Sequence, residues 1–390
     1  MSKAELPRDL NLILTETVRR QGSDLHLTAG VPPVMRIHGD LIPLDERRLT
    51  PQDVADLVLP VLEPSQRRRL EEEWELDFSY SIPGVSRFRG NIMRQRGSLA
   101  VAFRVVPTQI PRLEDLGLPA AVRDLCYLPR GLVLVTGPTG SGKSTTLAAM
   151  IGVINRERSL NIVTVEQPIE FLHSHGRSIV KQREVGSDTH SFADALRHVL
   201  RHDPDVILIG EMRDLESIAI ALTSAETGHL VLSTLHTQTA PLAIHRIVDV
   251  FQEHMQNHVR QQLADSLQGV IAQQLVPTAD GTGRVVAAEL MLATPAVRNL
   301  IRESKEHQLY TAMETGRAAG MQTMDQALAE LCLTGRITRD MAFLRCVDRA
   351  ELERLLHKGA ATRTQDAAVQ RTTWFSGVTA GLNGARRDNR

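Results

Sequence analysis

The chain has 390 residues, 42% apolar and 23% charged, with a formal net charge of −1. That length exceeds what one hydrophobic core usually organises, so two compact units are expected, and the composition is that of a folded chain. The balanced charge excludes the whole-domain basic excess of a dedicated nucleic-acid binder, and no run of about 18 apolar residues offers a membrane-spanning helix. Any membrane association is therefore expected through a partner, with no direct insertion. Met1 to Arg20 breaks its apolar residues with Lys3, Glu5, Arg8 and Asp9, which leaves no apolar core for a signal peptide. The three cysteines, Cys126, Cys332 and Cys346, form no C-x-x-C pair, which argues against a disulfide framework and a structural zinc site and fits a reducing cytoplasm.

Leu10 to Arg20 carries apolar residues at helical spacing, and Ser23 to Ile42 reads as short strands broken by Gly30, Pro32, Pro33 and Gly39. Thr50, followed by Pro51 and Asp53, looks like an N-cap opening a helix toward Leu62, and a second helix follows Pro64. Phe78 to Val106 alternates, with turn signals at Pro83-Gly84 and Gly97-Ser98, as antiparallel strands do. Pro107 to Pro111 is the candidate linker, which gives a first domain over 1–106 and a second over 112–347. In the second, Gly131 to Thr136, Asn161 to Glu166, Val206 to Ile209 and Leu230 to Leu235 are strand candidates alternating with helical patterns. That order suggests a mostly parallel sheet covered by helices, an α/β fold. Gln256 to Gln274 and Gln322 to Cys332 look like amphipathic helices outside those strands. Residues 348–390 form a C-terminal extension. Its stretch Gly359 to Arg390, with five Arg, two Asp and little periodicity, reads as a flexible, mildly basic tail in which Trp374-Phe375 is a conceivable docking pair.

Gly137-Pro138-Thr139-Gly140-Ser141-Gly142-Lys143-Ser144 matches G-x-x-x-x-G-K-[ST] between the apolar strand Leu132 to Val135 and a segment, Thr145 to Ile151, able to open a helix. In such a loop the glycines let the backbone wrap a phosphate, the N–H groups point inward, and the helix presents its positive end to the anion. Lys143 is expected at the β and γ phosphates of ATP, and Ser144 supplies a hydroxyl to Mg²⁺, which favours oxygen ligands. Asp205 to Glu211 is an apolar strand ending in a carboxylate, the Walker B position, where Glu211 can hold a Mg²⁺-bound water. Glu166 and Glu170 close another strand around Pro168, and Glu166 is the candidate general base, since strand C-termini gather such groups in open α/β sheets. His229 and His236 flank Leu230 to Leu235, and either is a candidate donor to the γ-phosphate or a structural histidine. His198/His202 and His254/His258 have i, i+4 spacing but no evident third ligand, so they read as surface histidines. Arg87, Arg89, Arg94, Arg96 and Arg104 crowd the end of the first domain. They are either a solvated strand face or, in part, arginine fingers acting across a subunit boundary.

These residues resemble the PilT-type pilus-retraction ATPases within the type II/IV secretion ATPase superfamily, over roughly Leu10 to Val347. The marks are Gly22 to Pro33 (GSDLHLTAGVPP), Arg87-Phe88-Arg89, the P-loop, Gly210 to Asp214 (GEMRD), Glu226 to His229 (ETGH), and Ala296 to Glu303 (AVRNLIRE), which is similar to a motif associated with retraction. The resemblance implies an N-terminal PAS-like α+β domain, a RecA-like P-loop NTPase domain, and a homo-hexameric ring with ATP between subunits. It implies a motor for pilus retraction and twitching motility, working at the inner face of the cytoplasmic membrane, with an inner-membrane platform protein and a related retraction ATPase as candidate partners and with no nucleic acid. It also makes Arg89 and Arg104 the finger candidates and places Glu166 and Glu170 in an Asp box, Glu211 in Walker B, and His229 with His236 in a His box. Gln167 stands where the family usually has Asp. That substitution motivates one alternative, a non-hydrolysing regulator that joins a sister motor's ring. A pilus-extension or secretion ATPase and a DNA-translocating motor are the others.

Overall fold

A computed structural model describes residues 9–37 and 39–359. The tail expected beyond Gly359, with Trp374 and Phe375, lies outside these residues.

The N-terminal part comprises α1 (Leu10–Arg19), β1 (Asp24–Thr28), β2 (Val34–Ile37), β3 (Asp40–Pro43), α2 (Pro51–Val58), α3 (Pro64–Glu73), β4 (Glu75–Ile82), β5 (Ser86–Gln95) and β6 (Ser98–Val105). Thr50 caps α2 through a reciprocal box with Asp53, with Pro51 in the first turn. The strands form one antiparallel sheet in the order β3-β2-β1-β6-β5-β4. Period-two alternation sends Leu25, Leu27, Phe88, Ile92 and Phe103 to one face, where they pack with Ile13, Leu14, Val54, Val58 and Leu70 of the helices. The other face carries a lateral polar row, because Asp24 pairs with Arg104, Arg104 with Arg89, and Arg89 with Ser79.

The C-terminal part comprises α4 (Ala121–Leu125), β7 (Gly131–Thr136), α5 (Lys143–Glu157), β8 (Asn161–Glu166), β9 (Ile179–Glu184), α6 (Phe192–Val199), β10 (Val206–Ile209), α7 (Leu215–Glu226), β11 (Leu230–Leu235), α8 (Ala240–Asp249) and α9 (Glu253–Ser266). It continues with β12 (Leu267–Pro277), β13 (Arg284–Leu292), α10 (Pro295–Arg302), α11 (Leu309–Thr315), α12 (Met324–Leu333) and α13 (Arg339–Arg345). Its seven strands run in the order β13-β12-β7-β11-β10-β8-β9, parallel except for the β12/β13 pair. Both faces are covered: Leu132, Leu134, Ile207 and Ile209 pack toward α6 to α10, while Val133, Val135, Val206 and Leu208 pack toward α4 and α5. This two-sided burial is why these strands read as unbroken apolar runs. The four strands expected from those runs have the expected bounds.

One expectation is corrected. The helix read over Gln256 to Gln274 ends at Ser266, and Leu267–Pro277 is β12, paired with β7 on one side and β13 on the other. Gly269-Val270-Ile271-Ala272 is buried throughout, so tertiary pairing of a β-branched run overrides the helical spacing of the polar residues around it. The packed helices also run past 347: a further helix over 349–359 buries Leu352 and Leu356 against Met324, Leu328 and Ala342.

Candidate nucleotide site

The parallel strands deliver their C-terminal ends to one edge of the sheet, where such folds hold ligands. There the loop after β7, the residues after β8 and β10, and the end of β11 surround a cavity of about 420 Å³, within the size range of small-molecule sites. Thr139, Gly140, Gly142, Lys143, Ser144 and Thr145 line it from the loop side. Gly137, Pro138 and Ser141 belong to the loop but are not among the residues that line the cavity.

Two glycines have no substitute here. A Cβ on Gly137 would stand 2.3 Å from the Gln273 carbonyl oxygen, and Gly142 caps α5 at φ 91°, a left-handed conformation that L side chains disfavour. The first turn of α5 thereby opens its N–H groups toward the cavity without a side-chain cap. Lys143 is buried, and its Nζ donates to the carbonyls of Gly137 at 2.8 Å and Pro138 at 3.2 Å. Burial pulls the ammonium below its ordinary value, against the raising influence of Glu211 and Glu170. An anion here would relieve that desolvation. Ser141 Oγ is buried with no partner among the described residues. The loop thus fits a polyphosphate on its own atoms.

The opposite wall is acidic. Glu211 follows β10 and lies between His236 Nε2, 3.0 Å from Oε1, and Arg213 Nη2, 2.7 Å from Oε2. Burial raises its carboxyl, but the hydrogen bonds and charges of Arg213 and His236 outweigh this, so the net direction is down and the group is ionised at neutral pH. Glu166 ends β8, and its Oε1 accepts from Thr164 Oγ1 at 2.6 Å and Gln182 Nε2 at 3.1 Å. Burial pushes this carboxyl up, with those hydrogen bonds opposing. A carboxylate moved toward neutrality is the better proton acceptor, which suits the general-base candidate. Glu170 and Gln167 also line the cavity. Ser144 and Glu211 both line the cavity, a hydroxyl and a carboxylate of the oxygen type that Mg²⁺ favours. Among the described residues no group of three or more His, Cys, Asp or Glu forms a metal cage of its own.

The two histidines part company. His236 lines the cavity. His229 precedes the first residue of β11 and bonds the Ser224 carbonyl through Nδ1 at 3.0 Å. A six-residue strand rising about 3.3 Å per residue places the two on opposite sheet edges, so within one chain His229 does not reach the site. Arg89 and Arg104 also lie away from it, on the polar face of the first sheet, where Arg104 Nε is 2.8 Å from Asp24 Oδ1.

Sequence reasoning passed over Gln273. It sits fully buried on β12, donates from Nε2 to the Ser141 carbonyl at 2.7 Å and accepts from Thr146 Oγ1 at 2.9 Å, bracing the C-terminal part of the phosphate loop and the start of α5. A Gln inside an apolar run was the available signal, because a buried amide requires partners. Arg284, at the start of β13, lines the cavity as well and was not foreseen.

The model of the type II/IV secretion system protein family matches residues 1–341. The type IV pilus retraction ATPase PilT of Pseudomonas aeruginosa is 48% identical over 86% of this chain and 97% of its own length. A twitching motility protein of Neisseria gonorrhoeae is 46% identical over 85% of this chain and 89% of its own. A crystal structure of the pilus retraction motor PilT with bound ADP superposes with a TM-score of 0.81 at 52% identity, covering 88% of this chain and 98% of that one. The fold is accordingly the expected one, an N-terminal α+β domain followed by a RecA-like domain. With its phosphate loop, its acidic wall and these similarities, the chain belongs to the type II/IV secretion system protein family.

Proposed function

We propose that this chain is the ATP-hydrolysing subunit of a homo-hexameric motor that retracts type IV pili. The observation that carries the reading is the Lys143 cradle facing Glu211 and His236 in one cavity, in a chain 48% identical to a protein named as a retraction ATPase. Lys143 and the N–H groups at the start of α5 hold the phosphates. Ser144 and Glu211 would hold Mg²⁺, which would supply positive charge to the transferring phosphoryl group. Glu166 accepts the proton of the attacking water, and His236 answers to the γ-phosphate through its contact with Glu211.

Arg89 and Arg104 serve a neighbouring subunit's site. Two arginines directly opposite on adjacent strands repel each other, and Asp24 balances only one of them, which favours an anion brought from outside the chain. His229 belongs with them as an intersubunit group. The motor works at the inner face of the cytoplasmic membrane by docking on an inner-membrane platform protein. Among the described residues no helix is long and apolar enough to cross a membrane. Deleting the gene tests the direction of the motor: hyperpiliated, immobile cells support retraction, and bald cells support extension.

Gln167 at the cavity wall favours a second reading, a ring subunit that binds ATP without turning it over. Background turnover that Glu211→Gln leaves unchanged would select it.

A further inference from the structure

The loop between β8 and β9 supplies Glu170, Phe171 and His173 to the cavity wall. It belongs to no strand, yet two side chains of β9 hold it. Gln182 donates from Nε2 to the Phe171 carbonyl at 2.9 Å and accepts from the His173 N–H at 2.8 Å. Glu184, two residues on and so on the same face of the strand, accepts from the Ile169 N–H through Oε2 at 2.9 Å.

Glu184 has a second set of partners, in the other sheet. Oε2 lies 3.2 Å from Arg87 Nη2 on β5, and Oε1 accepts from Ser79 Oγ on β4. The carboxylate is 5% exposed, and a group so buried persists only with its charge and lone pairs answered. Its partners come from two bodies: Arg87 and Ser79 from the antiparallel sheet, and, from the C-terminal part, Ile169 of the loop that follows Glu166 and, more weakly, Ser187 Oγ, 3.4 Å from Oε1. Ser79 is also the cross-strand neighbour of Arg89, so the contact sits at the edge of the arginine-bearing face.

We propose that Glu184 is a positioning residue that ties the placement of the N-terminal sheet to the loop carrying Glu170 and adjoining Glu166. Movement of the first sheet that draws Arg87 and Ser79 away leaves a buried carboxylate short of partners. It then re-orients, and the Ile169 N–H loses its acceptor. Conversely, a nucleotide that fixes the loop holds Glu184 where Arg87 can meet it, a reciprocity any binding linkage requires. This rests on the ATPase reading above.

The test uses the full chain with Arg87→Met, Glu184→Gln, Glu184→Ala and the Arg87→Met/Glu184→Gln pair. Turnover, KM for ATP, unfolding temperature and hydrogen exchange over residues 167–173 are measured for each. Glu184→Gln keeps an oxygen for Ile169 while losing the ion pair, so it should fall between wild type and Glu184→Ala. Arg87→Met and Glu184→Gln should each lower kcat about 5- to 30-fold with KM changed less than about threefold, and the pair should be no worse than either alone. Arg87→Met should speed exchange at Ile169. Multiplicative losses in the pair, or losses that follow unfolding temperature alone, would overturn the coupling. Wild-type turnover with neither kcat nor loop exchange altered by Arg87→Met would also overturn it and leave the ATPase standing. Absent turnover with faster loop exchange in Arg87→Met would do the reverse.

Discussion

His236 Nε2 lies 3.0 Å from Glu211 Oε1, joining the residue after β11 to the carboxylate after β10 across adjacent strands at the cavity wall. The sheet order makes this contact, since β10 and β11 are neighbours with Ile209 opposite Ser233. Glu211 is thereby held in one orientation between an imidazole and the Arg213 guanidinium.

Glu211→Gln keeps the shape and removes the charge. Turnover should drop by about 10²-fold or more, while binding of a fluorescent ADP analogue changes less than about threefold. Single-turnover kinetics with equilibrium binding checks this.

Gln273→Leu leaves the Ser141 carbonyl and the Thr146 hydroxyl buried without their partner. The expected cost is about 1–3 kcal/mol of stability, read by denaturant titration, with a several-fold higher KM for ATP.

Glu289 on β13 is fully buried, and its Oε1 accepts from the Ala240 N–H at 2.6 Å at the start of α8. Burial raises its carboxyl from 4.5 to about 7, with the N–H groups of Ala240 and Met324 opposing. Between these values the unfolded chain releases a proton that the folded chain keeps, so this group's contribution to stability falls as pH rises through that window. The span corresponds to on the order of 3 kcal/mol. Glu289→Gln, which cannot ionise, should gain on wild type in unfolding temperature from pH 5 to pH 8. A constant difference would count against the assignment.

Arg298 donates to the carbonyls of Ala264 and, at 3.0 Å, Asp265, closing the C-terminal end of α9, and Arg302 pairs with Asp265 at 2.5 Å. Arg298→Ala should cost about 1–2 kcal/mol, leave ATP turnover within about twofold, and stop retraction in cells. Normal surface motility would refute the last part.

The phosphate loop and its strands were legible because their information is local: apolar runs bounded by turn residues, and glycines placed where the backbone must curl. β12 was misread because the polar residues of α9 continue a helical rhythm into it, while the pairing that makes it a strand comes from β7, far back in the chain. Gln273 and Glu184 were invisible for the same physical reason. Gln273 meets Ser141 across 132 residues and Glu184 meets Ser79 across 105, distances over which spacing carries no signal. The position of His229 was within reach, since a strand's two ends cannot share one sheet edge.

The most direct measurement is phosphate release from Mg-ATP by the purified chain, sedimented in the same buffer, beside Lys143→Ala. The account predicts a six-chain assembly with turnover that falls to background in the variant, at unchanged sedimentation and unfolding temperature. A strictly monomeric protein in nucleotide, or turnover that survives Lys143→Ala, would contradict it.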